Sequence, residues 1–212
     1  LTAGEDGWLR AFDRVVAGGG VSLRGHLNDV NSLAFSPSGR RLVTGGRDGV
    51  VIVWDLERGE PLEVFTEPVS LVTTVGFLGP EGSESIFAGT FTGNHFLWHP
   101  PADGNPDSPR QLEESLGGSG LLDAAREDRT GDLFLATSNG VERVSAMSSS
   151  STSDFGAPRT SVSAVRLGSG HEIVGVAFTK GRLVCLSRAG RVLAFDTGSS
   201  ESLLEFDTGY RV

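Results

Sequence analysis

Residues 23–65, LRGHLNDVNSLAFSPSGRRLVTGGRDGVVIVWDLERGEPLEVF, decide the fold. A Gly-His pair, Gly25-His26, opens the stretch. Residues 30–35 then alternate apolar and polar side chains, as a half-buried strand does. Ser36-Pro37-Ser38-Gly39 breaks the run with turn chemistry. A second run, 41–45, leads into Arg47-Asp48-Gly49, where a glycine suits a tight hairpin needing positive φ. A third run, 50–54, ends in Trp54-Asp55, and a fourth covers 62–65. Four short strands joined by tight turns predict one antiparallel sheet of about forty residues.

The pattern repeats. An aromatic residue followed by an acid or its substitute recurs as Phe12-Asp13, Trp54-Asp55, Trp98-His99 and Phe195-Asp196. The steps are 42 and 44 residues, then 97, or two repeats of about 48. Residues 133–146 supply the member missing from that last interval, without an aromatic closure. The turn recurs too, as Glu5-Asp6-Gly7, Arg47-Asp48-Gly49, Phe91-Thr92-Gly93, Ser138-Asn139-Gly140 and Arg188-Ala189-Gly190. Strands are predicted at 71–77, 86–90, 95–98 and near 111; at 121–126, 133–137, 141–145 and 161–166; and at 172–178, 182–186, 192–196 and 203–206. The segments 100–109 and 148–158, rich in Pro, Asp, Gly or Ser, read as long loops. Gly18-Gly19-Gly20 opens no helix and reads as a link between strands, not a phosphate cradle.

Short strands, a Gly-His opening, an Asp-Gly turn and a Trp-Asp close resemble the WD repeat, one blade of a β-propeller. The resemblance implies an all-β propeller of four-stranded antiparallel blades. A partial blade occupies 1–13, the best-matching blade 23–65, and degenerate blades 69–113, 121–166 and 172–207. Propellers of that family usually close with seven or eight blades, so the expectation is an incomplete propeller belonging to a longer chain. In the family a buried hydrogen-bond chain links four residues, which here fall on His26, Thr44, Asp48 and Trp54. The chemistry stands on its own, because a buried carboxylate needs donors. His, Asp and Thr together also suggest a nucleophilic triad, but their spacing is the blade's own and favours the structural reading. The other repeats degrade the set: Ala88 and Thr92 replace Thr and Asp in the repeat of Trp98, and Cys185 and Ala189 do so in the last.

The residues before the first strand and before the turn acid face the narrow rim in such propellers. They are Asp29 and Arg47, Leu71 and Phe91, and Glu172 and Arg188. Exposed aromatics and arginines are common interaction hot spots. The reading is therefore a protein–protein interaction scaffold within a multiprotein complex. One alternative is recognition of a modified peptide tail in the central channel, for which Asp29 and Glu172 would serve. Another is a substrate-receptor subunit of a ubiquitin ligase. That is weakened because Glu57 stands where such receptors carry Arg or Lys two residues after the acid.

Composition narrows the rest. The net charge is -9 and the pI near 4.9, which speaks against a nucleic-acid surface. Cys185 is the single cysteine, so no intramolecular disulfide and no cysteine-based metal site can form. With no Asn-X-Ser/Thr sequon and no apolar run of membrane-span length, an intracellular setting, cytoplasmic or nuclear, is expected. His95 and His99 would lie roughly 13 Å apart along a strand, too far for one metal. His171 reads as a turn residue. No cofactor and no catalytic residue is expected.

Overall fold

The computed structural model describes residues 2–3, 8–12, 20–80, 82–101, 110–116, 121–137, 140–146, 160–165, 172–179, 181–196 and 202–209. They form five antiparallel sheets. The first contains β1 (Thr2–Ala3), β2 (Trp8–Phe12) and β3 (Gly20–Arg24). The second contains β4 (Val30–Phe35), β5 (Arg41–Gly46), β6 (Val51–Asp55) and β7 (Glu60–Phe65). In the third are β8 (Val72–Leu78), β9 (Ser85–Thr90), β10 (Asn94–His99) and β11 (Gln111–Leu116). The fourth has β12 (Leu121–Arg126), β13 (Leu133–Thr137), β14 (Gly140–Ala146) and β15 (Thr160–Val165). The fifth has β16 (Ile173–Thr179), β17 (Arg182–Ser187), β18 (Arg191–Asp196) and β19 (Ser202–Asp207). From the second sheet on, the strands pair in sequence order as meanders, the blade connectivity of a propeller.

The sheets bury their faces against one another. Leu23 of β3 packs with Leu42, Ile52 and Trp54 between the first and second sheets. Val51, Val53 and Phe65 meet Val72, Val75, Phe77 and Trp98 at the next junction. There Phe65 stacks on the Trp98 indole with centroids 4.4 Å apart. Leu78, Phe87 and Leu97 face Leu121, Leu133, Leu135 and Val144. Phe134 and Ala136 face Ile173, Leu183, Cys185 and Phe195. Alternation inside each strand produces this arrangement, because both faces of a blade lie against neighbours. The described sheets follow one another as an open series: Phe206, the counterpart of Phe65, stays 60% exposed.

Register makes the repeats superimposable. Leu42 pairs with Trp54, Ile86 with Trp98, Leu133 with Val144 and Leu183 with Phe195. Each innermost strand carries a bulge at the same place, between Val30 and Ser32, Val72 and Thr74, Leu121 and Asp123, and Ile173 and Gly175. The innermost strand is also the edge of its sheet, and side chains of the preceding sheet accept backbone donors that it leaves unpaired. Val75 N donates to Ser32 Oγ (3.1 Å), and Val176 N to Asp123 Oδ2 (2.9 Å).

Three details differ from the sequence expectation. Leu23 and Arg24 belong to the first sheet, where they pair with Leu9 and Trp8. The sequence repeat therefore straddles two sheets. Gly20 opens β3 opposite Phe12 instead of lying in a link. In the fourth sheet Thr137 pairs directly with Gly140, so that hairpin is one residue shorter than the others. Gly140 accordingly has φ 132°, against 75° at Gly49. The turn at residues 5–7, the loop residues 102–109 and 148–158, Ser138, Asn139 and His171 lie outside the described residues.

Candidate functional site

Two groups of residues converge at the β5–β6 turn: a buried polar chain and an exposed rim. In the chain, Trp54 Nε1 donates to Thr44 Oγ1 at 2.9 Å. Thr44 Oγ1 lies 2.8 Å from His26 Nε2, and His26 Nδ1 lies 3.2 Å from both Asp48 carboxylate oxygens. With the imidazole proton on Nδ1 every contact is satisfied in one direction: indole to hydroxyl, hydroxyl to Nε2, Nδ1–H to carboxylate. Asp48 also accepts the backbone N–H of Leu27 (2.8 Å) and of Val50 (3.1 Å). The carboxylate thus ties the loop entering β4 to the turn leaving β5. Its remaining capacity is filled by backbone donors, and Thr44 is fully buried. This arrangement braces a blade.

Gly46 is essential to the geometry. A Cβ there would stand 2.6 Å from His26 Nδ1 and closer still to Asp48 Oδ1. In the third sheet Ala88 holds the place of Thr44 and buried Pro68 the place of His26. Trp98 keeps its ring in the core, but its buried Nε1 has no acceptor.

The rim residues are joined in pairs by the backbone. Arg47 N donates to Asp29 O (2.8 Å), Phe91 N to Leu71 O (3.0 Å) and Arg188 N to Glu172 O (2.8 Å). Side chains then diverge. Arg47 reaches Asp29 at 3.6 Å and Arg188 reaches Glu172 at 3.1 Å, whereas Leu71 and Phe91 carry no charge, Leu71 being half-buried and Phe91 70% exposed. Asp29 and Glu172 are thus each paired with an arginine at the surface.

Sequence reasoning missed two rim residues. Leu27 is 92% exposed and Val69 95% exposed. Leu27 follows His26 and is anchored by its own N–H to Asp48. Val69 occupies the corresponding loop 42 residues on, beside Pro68, whose carbonyl oxygen lies 2.5 Å from where a Cβ on Gly49 would sit. The signal was an apolar residue recurring at the repeat distance within a polar loop.

The remaining candidates are buried. His95 lies in the junction between the third and fourth sheets, edge-on to Phe87, with Nε2 unpartnered. Burial holds its pKa below the usual histidine value. His99 Nδ1 lies 2.9 Å from Ser85 Oγ, and both residues are buried. Burial raises the Asp123 carboxyl above the usual range, partly opposed by the N–H groups of Val176 and Ala124. Burial also pushes the Cys185 thiol up to about 12, which makes it unreactive. Among the described residues no cluster of three His, Cys, Asp or Glu could hold a metal ion.

Residues 20–55 match the family model "WD domain, G-beta repeat". The chain is 33% identical over 101 residues to a maize (Zea mays) protein named guanine nucleotide-binding protein subunit beta, across 44% of this chain and 26% of that protein. It is 48% identical over 42 residues to periodic tryptophan protein 2 of Saccharomyces cerevisiae, across 20% of this chain and 5% of that protein. The chain thus spans about a quarter, or less, of the curated relatives it matches. A solved structure titled "Crystal Structure of Mitotic Checkpoint Complex" contains a chain that superimposes with a TM-score of 0.66 at 20% identity, over 87% of this chain and 54% of that one. That likeness concerns the fold alone. With the meander sheets, the Trp54 network and the matched repeat, the chain carries a WD repeat and has the fold of a WD-repeat β-propeller.

Proposed function

We propose that this protein is a non-catalytic docking scaffold inside the cell, and that partners dock on the rim of the second and third sheets. The observation that carries this reading is the exposure of Phe91 beside Leu71, with Leu27 and Val69 bared at the same end. Rigid sheets present large apolar side chains to solvent there at little conformational cost, and the Arg47–Asp29 pair forms a polar border. Internal pairing of the rim charges makes apolar burial the main source of affinity. The name of one similar protein, a subunit, supports a role within assemblies.

The test is quantitative affinity capture with wild type and with the Arg47→Ala/Phe91→Ala double variant. A partner retained by wild type and lost by a double variant of unchanged melting temperature is the expected result. Equal capture by both removes the rim reading.

A further inference from the structure

The hairpins at the rim end follow a rule of substitution. At the place of Gly46 the five repeats carry Gly4, Gly46, Thr90, Thr137 and Ser187. Two residues later they carry Asp6, Asp48, Thr92, Asn139 and Ala189. Glycine accompanies aspartate, and a hydroxyl residue accompanies its absence. In the second sheet the reason is steric, because a Cβ on Gly46 would strike both members of the His26–Asp48 pair.

The two solutions hold the same atom. Asp48 Oδ1 accepts the N–H of Val50, the residue four after Gly46. In the third sheet Thr90 Oγ1 accepts the N–H of Asn94, four after Thr90, at 3.1 Å. In the fifth Ser187 Oγ accepts the N–H of Arg191, four after Ser187, at 3.0 Å. Thr90 also donates to Asn94 O (3.2 Å), and its hydroxyl lies 3.0 Å from that of Thr92. Both clamp residues are fully buried beneath the rim residue that follows them, Phe91 or Arg188. In the shortened fourth hairpin Thr137 instead donates to Gly140 O at 3.2 Å.

We propose that Thr90 and Ser187 are positioning residues of the rim: each hydroxyl takes the turn N–H that Asp48 takes in the second sheet, and so fixes Phe91 or Arg188. The turn is then held without the buried His–Asp pair. In the second sheet, by contrast, one carboxylate serves both the turn and the core network. Loss of the network in a repeat therefore leaves its rim turn ordered, which frees the rim residue to be an aromatic such as Phe91. Only the consequence for docking rests on the rim reading given above; the hydrogen-bond exchange does not.

Backbone amide hydrogen exchange of the whole chain, read by NMR, tests the clamp. Thr90→Val keeps the volume and removes the acceptor. It should raise the exchange rate of Asn94 by about fivefold, the effect of one ordinary hydrogen bond, and Thr90→Ser should restore it. Ser187→Ala should do the same to Arg191. A control comes from the second sheet, where His26→Pro, Gly46→Thr and Asp48→Thr together install the third sheet's residues. Val50 should stay protected in that triple variant and lose protection in Asp48→Ala alone. Unchanged exchange at Asn94 in Thr90→Val overturns the proposal, as does an equal loss in Thr90→Ser. In the capture experiment Thr90→Val should weaken retention of the Phe91-dependent partner, with Thr90→Ser restoring it. If Phe91→Ala leaves capture intact while the exchange results hold, the docking reading has failed and the clamp stands.

Discussion

At the scale of single residues, the Trp54 chain illustrates how one carboxylate secures a blade. Asp48 is bound by His26 and by two backbone N–H groups, so removing it strands three donors. Asp48→Ala is expected to lower unfolding stability by about 2–4 kcal/mol, measured by urea titration. Gly46→Ala should cost about 1–3 kcal/mol although no group is deleted, because the new methyl forces His26 and Asp48 apart. Trp98 offers the converse experiment. Its indole N–H is buried with no acceptor, and Ala88 stands where Thr44 accepts from Trp54. Ala88→Thr should raise stability by about 1 kcal/mol, with a gain in the melting temperature as the readout. His26, Thr44, Asp48 and Trp54 could be grouped from the sequence only through the resemblance of residues 23–65 to the WD repeat. The orphaned indole was not legible, since it depends on which atoms face one another across strands.

At the scale of elements, alternation and turn glycines located nearly every strand to within two residues, because a blade strand's face is set by its own period of two. The short fourth hairpin and the assignment of β3 to the first sheet were hidden, because hydrogen-bond register is not written in any one strand. His95 is the case with consequences for pH. It takes the place of Val51 in the next repeat and lies in the junction of the third and fourth sheets with its Nε2 unpartnered. Its native pKa is held below 6.5, so below that pH the unfolded chain binds the proton more readily than the folded one. Stability from a neutral His95 is complete above the unfolded pKa and is lost as pH falls through it, by at most about 1.4 kcal/mol per pH unit. His95→Val should flatten this acid limb of the stability–pH curve and leave neutral stability unchanged or higher. An acid limb identical in wild type and variant would show that the histidine becomes protonated in place.

At the scale of the whole molecule, the junctions distribute labour. Apolar layers fill the middle, and charged clasps close the end opposite the rim. Arg41 reaches Glu84 at 2.7 Å, and Arg110 grips Glu63 through two bonds of 2.6 and 3.0 Å. The rim end carries few such clasps between sheets and presents Leu27, Val69, Leu71 and Phe91 instead. The repeating sheets were legible from the period of the sequence, and the resemblance of one repeat to the WD repeat implied the propeller. Leu27 and Val69 were not legible, because an apolar residue recurring in a loop becomes meaningful only once its solvent exposure is known. The most direct test of rim docking is a hydrogen-exchange footprint of the chain, free and bound to the partner that it captures. Rim docking predicts protection concentrated in residues 27–29, 66–71 and 91–93, with the outer strands β7 and β11 unchanged. Protection centred on those outer strands, or on the loops at the Arg41–Glu84 end, would contradict it.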